Sequence, residues 1–260
     1  MNTKPNIELP NTRPSYTRFN PTTNGELHVG HLYMIYVNEA EAHENGGKFC
    51  VRFDDNQEVY DYGVSWTGER MTPEQIDDTK NRMVEDILWS GVQVDGWSSQ
   101  RENQRRVREF LRHLNGGDDL KVRKCYTSQI NPEIHWLDWE AGYPYVPHLT
   151  AEKVLYDYLD GCNLIIRGED LLDEWALYYY FADLWGLPPS RQVFLKRLEL
   201  ESGEQMLDIS KRKGGWKIRG YREQGWSPDK LRMMLAETCL IDPEKPWLVS
   251  NCRIQPIWKF

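Results

Sequence analysis

Cysteine is sparse. The 260-residue chain has five, Cys50, Cys125, Cys162, Cys239 and Cys252, and no two stand at the close spacing of a zinc knuckle. That excludes a cysteine-built zinc module. The odd, scattered set predicts reduced and mostly buried thiols in a cytoplasmic protein. Positive charge is also in deficit: 32 Lys and Arg against 40 Asp and Glu leave a net charge of −8. Nucleic acid would have to be met by local basic patches, not by the field of the whole chain. No apolar run reaches the ~20 residues that span a bilayer, so no membrane partner is expected. Residues Met1 to Pro14 are polar and proline-rich, without the apolar centre of a signal peptide. Internal repeats and low-complexity segments are absent. Aromatic area is abundant, with 11 Trp and 14 Tyr, enough for a substantial core in one large domain or a core domain with an insert.

The chain reads as α/β. Residues 1–14 form a flexible arm and 15–114 the first half of a catalytic core. Tyr16-Thr17-Arg18-Phe19 has strand character, a loop follows, and a helix is predicted from about His28 to Glu44, stopped by Asn45-Gly46-Gly47. Lys48 to Phe53 is a second strand, completing a βαβ unit. Pro73 and Glu74 open another helix running to about Trp89. Residues 99–114 carry Val107, Phe110, Leu111 and Leu114 on one face and Arg101, Arg105, Arg108 and Arg112 on another. That stripe is either a solvated face or a phosphate-contacting ridge. Residues 115–147, with glycines, prolines and aromatics in no clear period, read as a short irregular insert. Residues 148–200 form the second half, with a strand at Leu164–Arg167, a helix over Leu171–Trp185 and a short strand or turn pair at Val193–Leu200. Residues 201–260 read as a basic loop followed by a helical region, clearest over Asp229–Cys239.

Two stretches carry chemistry. His28-Val29-Gly30-His31 stands where the loop after the first strand opens a helix. A helix N-terminus offers free N–H groups and positive potential to phosphate, and imidazoles can donate to the same oxygens. Gly30 allows close approach. Ile209-Ser210-Lys211-Arg212-Lys213-Gly214-Gly215 puts three cations on a glycine-flanked loop, which can stabilise charge on a leaving pyrophosphate or be merely a solvated basic turn.

Together these stretches resemble the HIGH and KMSKS motifs of class I aminoacyl-tRNA synthetases. Val51-Arg52-Phe53-Asp54-Asp55-Asn56, Ile165-Ile166-Arg167-Gly168-Glu169-Asp170-Leu171-Leu172 and Gly220-Tyr221-Arg222-Glu223-Gln224-Gly225-Trp226-Ser227-Pro228 are similar to segments of the glutamyl/glutaminyl branch, in family order, across about residues 16–235. The resemblance implies a Rossmann-type parallel sheet split by a short insert, with ATP and Mg²⁺ as cofactors, ATP at the carboxyl ends of the strands, and a glutamate-like amino acid as substrate. His28, Gly30, His31, Ser210 and Lys211 would meet ATP phosphates, with Lys211 stabilising the transition state. Glu169 would contact the nucleoside. Arg18 and Arg167 would hold substrate carboxylates, and Thr22 and Asp54 would lie near the ammonium group. For Arg167, an ion pair with a neighbouring acid is the alternative. Counting forward in the pocket segment places Tyr145 at the family's tyrosine; counting backward places Leu149 there. Asp208 stands where the first lysine of the KMSKS motif is expected.

The resemblance also implies a tRNA acceptor. Contacts would fall on the Arg101–Arg112 stripe and the Lys211–Arg222 run, which can position phosphates without reading sequence. No anticodon-binding domain is expected, and zinc is not expected in the insert, where Cys125 stands alone. The short insert keeps open a stand-alone activating ligase with a small amine or carrier protein as acceptor. Asp208 keeps open a non-catalytic paralogue.

Overall fold

A computed structural model of the protein describes residues 14–55, 71–114, 121–127, 131–138, 145–196, 199–202, 205–208, 216–238, 246–251 and 257–259. Strand β1 (Tyr16–Phe19) leads into helix α1 (Val29–His43), which buries Leu32, Tyr33, Ile35, Tyr36 and Val37. After α1 the chain reverses through Gly46, at φ 65°, a left-handed turn that glycine adopts without steric cost. Gly47 then passes so close to β1 that a Cβ would collide with the Ser15 carbonyl. This close passage brings β2 (Lys48–Phe53) into parallel register with β1, from Tyr16↔Lys48 to Phe19↔Val51. Helix α2 (Pro73–Trp89) opens with a reciprocal box in which Thr72 caps the Gln75 N–H and Gln75 returns to the Thr72 N–H. Strand β3 (Gly96–Ser99) pairs in parallel with β2, and α3 (Gln100–Leu114) turns Val107 into the core.

The next segment corrects the expectation of irregular chain over 115–147. Strands β4 (Lys121–Thr127) and β5 (Asn131–Asp138) form an antiparallel ribbon. Its register shifts between Val122 and Cys125 and again between Cys125 and Thr127, and such bulges erase the period-two pattern that announces a strand. Helix α4 (Tyr145–Leu159) and strand β6 (Leu164–Gly168) follow. The helix expected from Leu171 begins as a 3₁₀ turn over Glu169–Glu174, and α5 (Trp175–Leu184) continues from it. Strand β7 (Arg191–Leu195) pairs in parallel with β6. The wholly helical C-terminal region is also corrected. It contains β9 (Gln205–Asp208), hairpin partner of β8 (Glu199–Ser202), then α6 (Ile218–Glu223) and α7 (Pro228–Thr238), and finally β10 (Ile257–Lys259) antiparallel to β7.

Strand β6 lies against β1. The Asn163 N–H donates to the Tyr16 carbonyl at 3.1 Å, the Asn163 side chain accepts from the Tyr16 N–H at 2.9 Å, and the Asn38 amide reaches the Ile166 carbonyl at 3.4 Å. Across the molecule the strands therefore stand in the order β3-β2-β1-β6-β7-β10. The chain winds outward one way from β1 and the other way from β6. Ligands of open α/β sheets bind outside the carboxyl ends of strands at such a reversal. One core packs α1 against β1, β2 and β6 and includes the fully buried Trp247, whose ring meets Tyr33 and Tyr36. A second joins α3, α4 and α5 around Tyr156, Ile165 and Phe181.

Candidate active site at the strand reversal

The His28–His31 loop lies at this reversal, and its local structure follows from the two imidazoles. His28 is the N-cap of α1. Its Nδ1 accepts the Gly30 N–H at 3.1 Å, while Nδ1 of His31 accepts the His28 N–H at 3.2 Å. The rings lie 3.8 Å apart, centroid to centroid, inclined by 31°. Two histidines thus serve as a capping box more often built from Ser or Thr with Glu.

This arrangement changes what the loop can offer to phosphate. The expected free N–H groups are occupied. Val29 N–H donates to the Trp216 carbonyl at 3.0 Å, Gly30 N–H to His28 Nδ1, and the His31 and Leu32 N–H groups to the His28 carbonyl at 2.9 and 3.2 Å. The side chains take over as donors. Because each Nδ1 accepts a backbone N–H, a neutral ring carries its proton on Nε2. Both rings stand at the N-terminal end of a 15-residue helix.

The segment after the basic loop is tied directly to this cap. His28 and Lys217 form an antiparallel bridge, closed by Val29 N–H to Trp216 O and by Ile218 N–H to Leu27 O at 3.0 Å. Lys217 Nζ pairs with Glu26 at 2.5 Å. Trp216 sits at φ 68°, a left-handed backbone conformation for a bulky residue. Ser210 and Lys211 lie outside the described residues, but their chain emerges at Trp216, beside His28. Lys217 is a positioning residue that motif matching passes over, because its part is played by the backbone.

Thr22 and Asp54 come together. They form a parallel bridge at the carboxyl ends of β1 and β2, Thr22 Oγ1 lies 3.3 Å from Asp54 Oδ2, and Asp54 N–H donates to the Pro21 carbonyl. Asp54 is 7% exposed. Glu169 directly follows β6 and accepts from Lys196 at 2.6 Å. Tyr145 is the first residue of α4; its side chain lies outside the described residues.

The arginines are paired with acids of the chain itself. Arg18 grips Asp157 of α4 with both Nε and Nη2, at 2.9 and 3.1 Å. Arg52 donates to the same carboxylate at 2.6 Å, to Asp160 at 3.0 Å and, through Nε, to Asn20 at 3.0 Å. Burial pushes the Asp157 carboxyl up, but Arg18 and Arg52 outweigh it and hold it at about 2. Arg167 donates to Glu174 at 3.2 Å and to Gln192 at 2.5 Å, its guanidinium lying over the Phe194 ring. Glu174, seven residues on, is the neighbouring acid considered for Arg167. Lys153 of α4 joins it at 3.3 Å. Asp157 is a site residue that sequence reading missed; the signal available was an acid between Tyr156 and Tyr158 in α4, whereas Glu174 is one of four acids in the turn Glu169–Glu174 and nothing singles it out.

The arginine stripe of α3 divides. Arg101 turns inward, to the Asp55 carbonyl at 3.1 Å and Asp77 at 3.0 Å. Arg105 is solvated and pairs with Glu109. On the other side of the cap, α2 meets α6: Asp86, 1% exposed in its side chain, lies 3.6 Å from Arg219 and 3.8 Å from Arg222. Burial raises its carboxyl to about 6 despite both arginines. Among the described residues no three His, Cys, Asp or Glu side chains group to hold a metal, and no helix is long and apolar enough to cross a membrane.

Comparison with known proteins follows the same lines. Residues 15–65 match the model of the catalytic domain of class I tRNA synthetases (E and Q). A probable cytoplasmic glutamate–tRNA ligase of Encephalitozoon cuniculi is 23% identical over 93% of the chain and 47% of its own length. A glutamate–tRNA ligase of Methanocaldococcus jannaschii is 30% identical over 63% of the chain and 26% of its own length. The chain thus spans half or less of the length of these relatives. The crystal structure of a glutamate–tRNA synthetase from Elizabethkingia anophelis superposes with a TM-score of 0.63 at 15% identity, covering 94% of the chain and 66% of that structure, a likeness of fold. β1, the histidine cap and β2 all lie inside the matched segment, so over this stretch the chain is similar to the catalytic domain of class I tRNA synthetases (E and Q).

Proposed function

We propose that the chain activates glutamate or a close analogue with ATP, forming an aminoacyl-adenylate, and passes the aminoacyl group to tRNA. The observation that carries this reading is the pair of Nε2–H donors held at the strand reversal by the reciprocal histidine cap. A carboxylate oxygen of the amino acid attacks the α-phosphorus, the bond to the bridging oxygen breaks, and pyrophosphate leaves with its electron pair. The protein's part is positioning and charge stabilisation. His28 and His31 donate to phosphate oxygens. Lys211 meets the leaving pyrophosphate from a chain anchored at Trp216. Asp54 and Thr22 receive the ammonium group, and Glu169 the nucleoside. Mg²⁺ enters as a complex with ATP, since among the described residues no three His, Cys, Asp or Glu side chains group to hold it. Exposed Arg105 supplies a phosphate contact for tRNA, so binding is salt-sensitive. The cytoplasm, where ATP and tRNA are at hand, is the proposed location.

The test is adenylate formation by wild type and His31→Ala. Loss of one donor to a developing charge costs roughly 10²–10³ in rate. A folded His31→Ala chain with wild-type adenylate formation removes the phosphate role.

A further inference from the structure

The contact between α2 and α6 encloses a carboxylate that nothing hydrogen-bonds. The Asp86 side chain is 1% exposed, and neither of its oxygens has a hydrogen-bond partner among the described residues. Two guanidinium groups of α6 face it, but Arg219 stands at 3.6 Å and Arg222 at 3.8 Å, too far for hydrogen bonds. Arg219 instead gives its Nη2 to Glu85, at 2.9 Å, and Arg222 is also nearer to Glu85, at 3.6 Å. Glu85 is 55% exposed. The exposed carboxylate therefore holds the arginines, and the buried one is left with charge at a distance. Burying an ionised carboxylate without hydrogen bonds is unfavourable, and access of water relieves it. Water reaches Asp86 when α6 parts from α2. Helix α6 begins at Ile218, whose N–H closes the bridge to Leu27, and the Trp216 carbonyl just before it accepts the Val29 N–H beside the His28 cap. A movement of α6 away from α2 thus pulls on the bridge at the histidine loop.

We propose that Asp86 is a release built into the α2–α6 contact: ionised, it favours parting of α6 from α2 and loosens the His28–Lys217 bridge; protonated, it lets the bridge close. The charged groups that face it are Glu85 on its own helix, Arg219 and Arg222 on α6, and Glu26 in the loop before α1, itself paired with Lys217. Burial raises the Asp86 carboxyl to about 6, and contact with water returns it to the ordinary aspartate value of about 3.9. A group whose closed-state value is raised favours the open state as pH rises. With these two values the opening equilibrium grows about tenfold between pH 5 and pH 8. The device acts on the chain without substrate, so it stands apart from the activation reading.

Native-state hydrogen exchange of the Val29 and Ile218 amides, the two donors of the bridge, reads this opening on the full chain. Protection factors, which correct for the intrinsic pH dependence of exchange, are compared at pH 5 and pH 8 in wild type, Asp86→Asn and Glu85→Gln, with thermal melting to confirm folding. In wild type both amides should open about tenfold more at pH 8 than at pH 5, and more readily than the amides of β2. Asp86→Asn should abolish the pH dependence and lower opening at pH 8 by at least about tenfold. Glu85→Gln frees Arg219 for Asp86 and should shift opening at pH 8 in the same direction; should Asp86→Asn fail to fold, this variant and wild type decide the matter. Wild-type amides that open equally at both pH values, or only together with those of β2, overturn the proposal. So does a folded Asp86→Asn chain that exchanges like wild type, or a Glu85→Gln chain that opens no less than wild type at pH 8.

Discussion

Replacing Asp157 by Asn would strip the countercharge from two buried arginines. The side chains of Asp157, Arg52 and Arg18 are 0%, 1% and 6% exposed, so water cannot take over the role of the lost carboxylate. Breaking a buried pair from one side costs about 3–5 kcal/mol. The depressed Asp157 carboxyl points the same way: held at about 2 by Arg18 and Arg52, below the ordinary aspartate value of about 3.9, it favours the folded state at neutral pH by about 2–3 kcal/mol. Because the folded value is depressed, this contribution is fully present above pH ~4 and is lost as pH falls through ~2. For a chain of this size each kcal/mol moves Tm by about 2–4 °C, so Asp157→Asn should lower Tm by roughly 6–20 °C near pH 7. Below pH ~4 the gap to wild type should narrow. Differential scanning calorimetry at pH 7, 5 and 3.5 measures both effects. A variant within about 2 °C of wild type at pH 7, with an identical acid limb, would show that Asp157 does not hold the arginines as described.

Nitrogen-15 NMR of the labelled imidazoles should find neutral His28 and His31 protonated on Nε2, since each Nδ1 accepts a backbone N–H; an Nδ1–H tautomer at either ring refutes the donor assignment. Asp86→Asn should stabilise the chain by about 1–3 kcal/mol at pH 8, the cost of ionising a carboxyl raised from an ordinary value to about 6. The sign follows from the raised value: Asp86 costs nothing below pH ~4 and its full amount above ~6, so a gain in Tm that is equal at pH 4 and pH 8 contradicts it.

The first βαβ unit was legible because its signals are local. A strand-like run, a loop with histidines at a helix start, Gly46-Gly47 and a second strand-like run all fall within residues 16–53. Thr22 and Asp54 were singled out by the resemblance alone; both stand at strand ends that this unit brings together. The arginine partners were not. Asp157 lies 139 residues from Arg18, and only the packing of α4 brings it there. Helix α4 itself gave little sign, since Glu152, Val154, Leu155, Tyr156 and Asp157 are all buried and leave no one-sided apolar stripe to read. The β4–β5 ribbon was hidden by its bulges, and β10 by having only three residues. The histidine loop was recognised by type and place, but not by mechanism. Nothing in the spacing His-x-Gly-His reveals that the backbone donors are occupied and that the donors are the rings.

Amino-acid-dependent ATP–pyrophosphate exchange by the full chain, run across a panel of amino acids with and without total tRNA, tests the central claim most directly. The account predicts exchange that depends on one amino acid of the glutamate–glutamine pair and on intact His31. A folded chain that exchanges with no amino acid, tRNA present or absent, would contradict it.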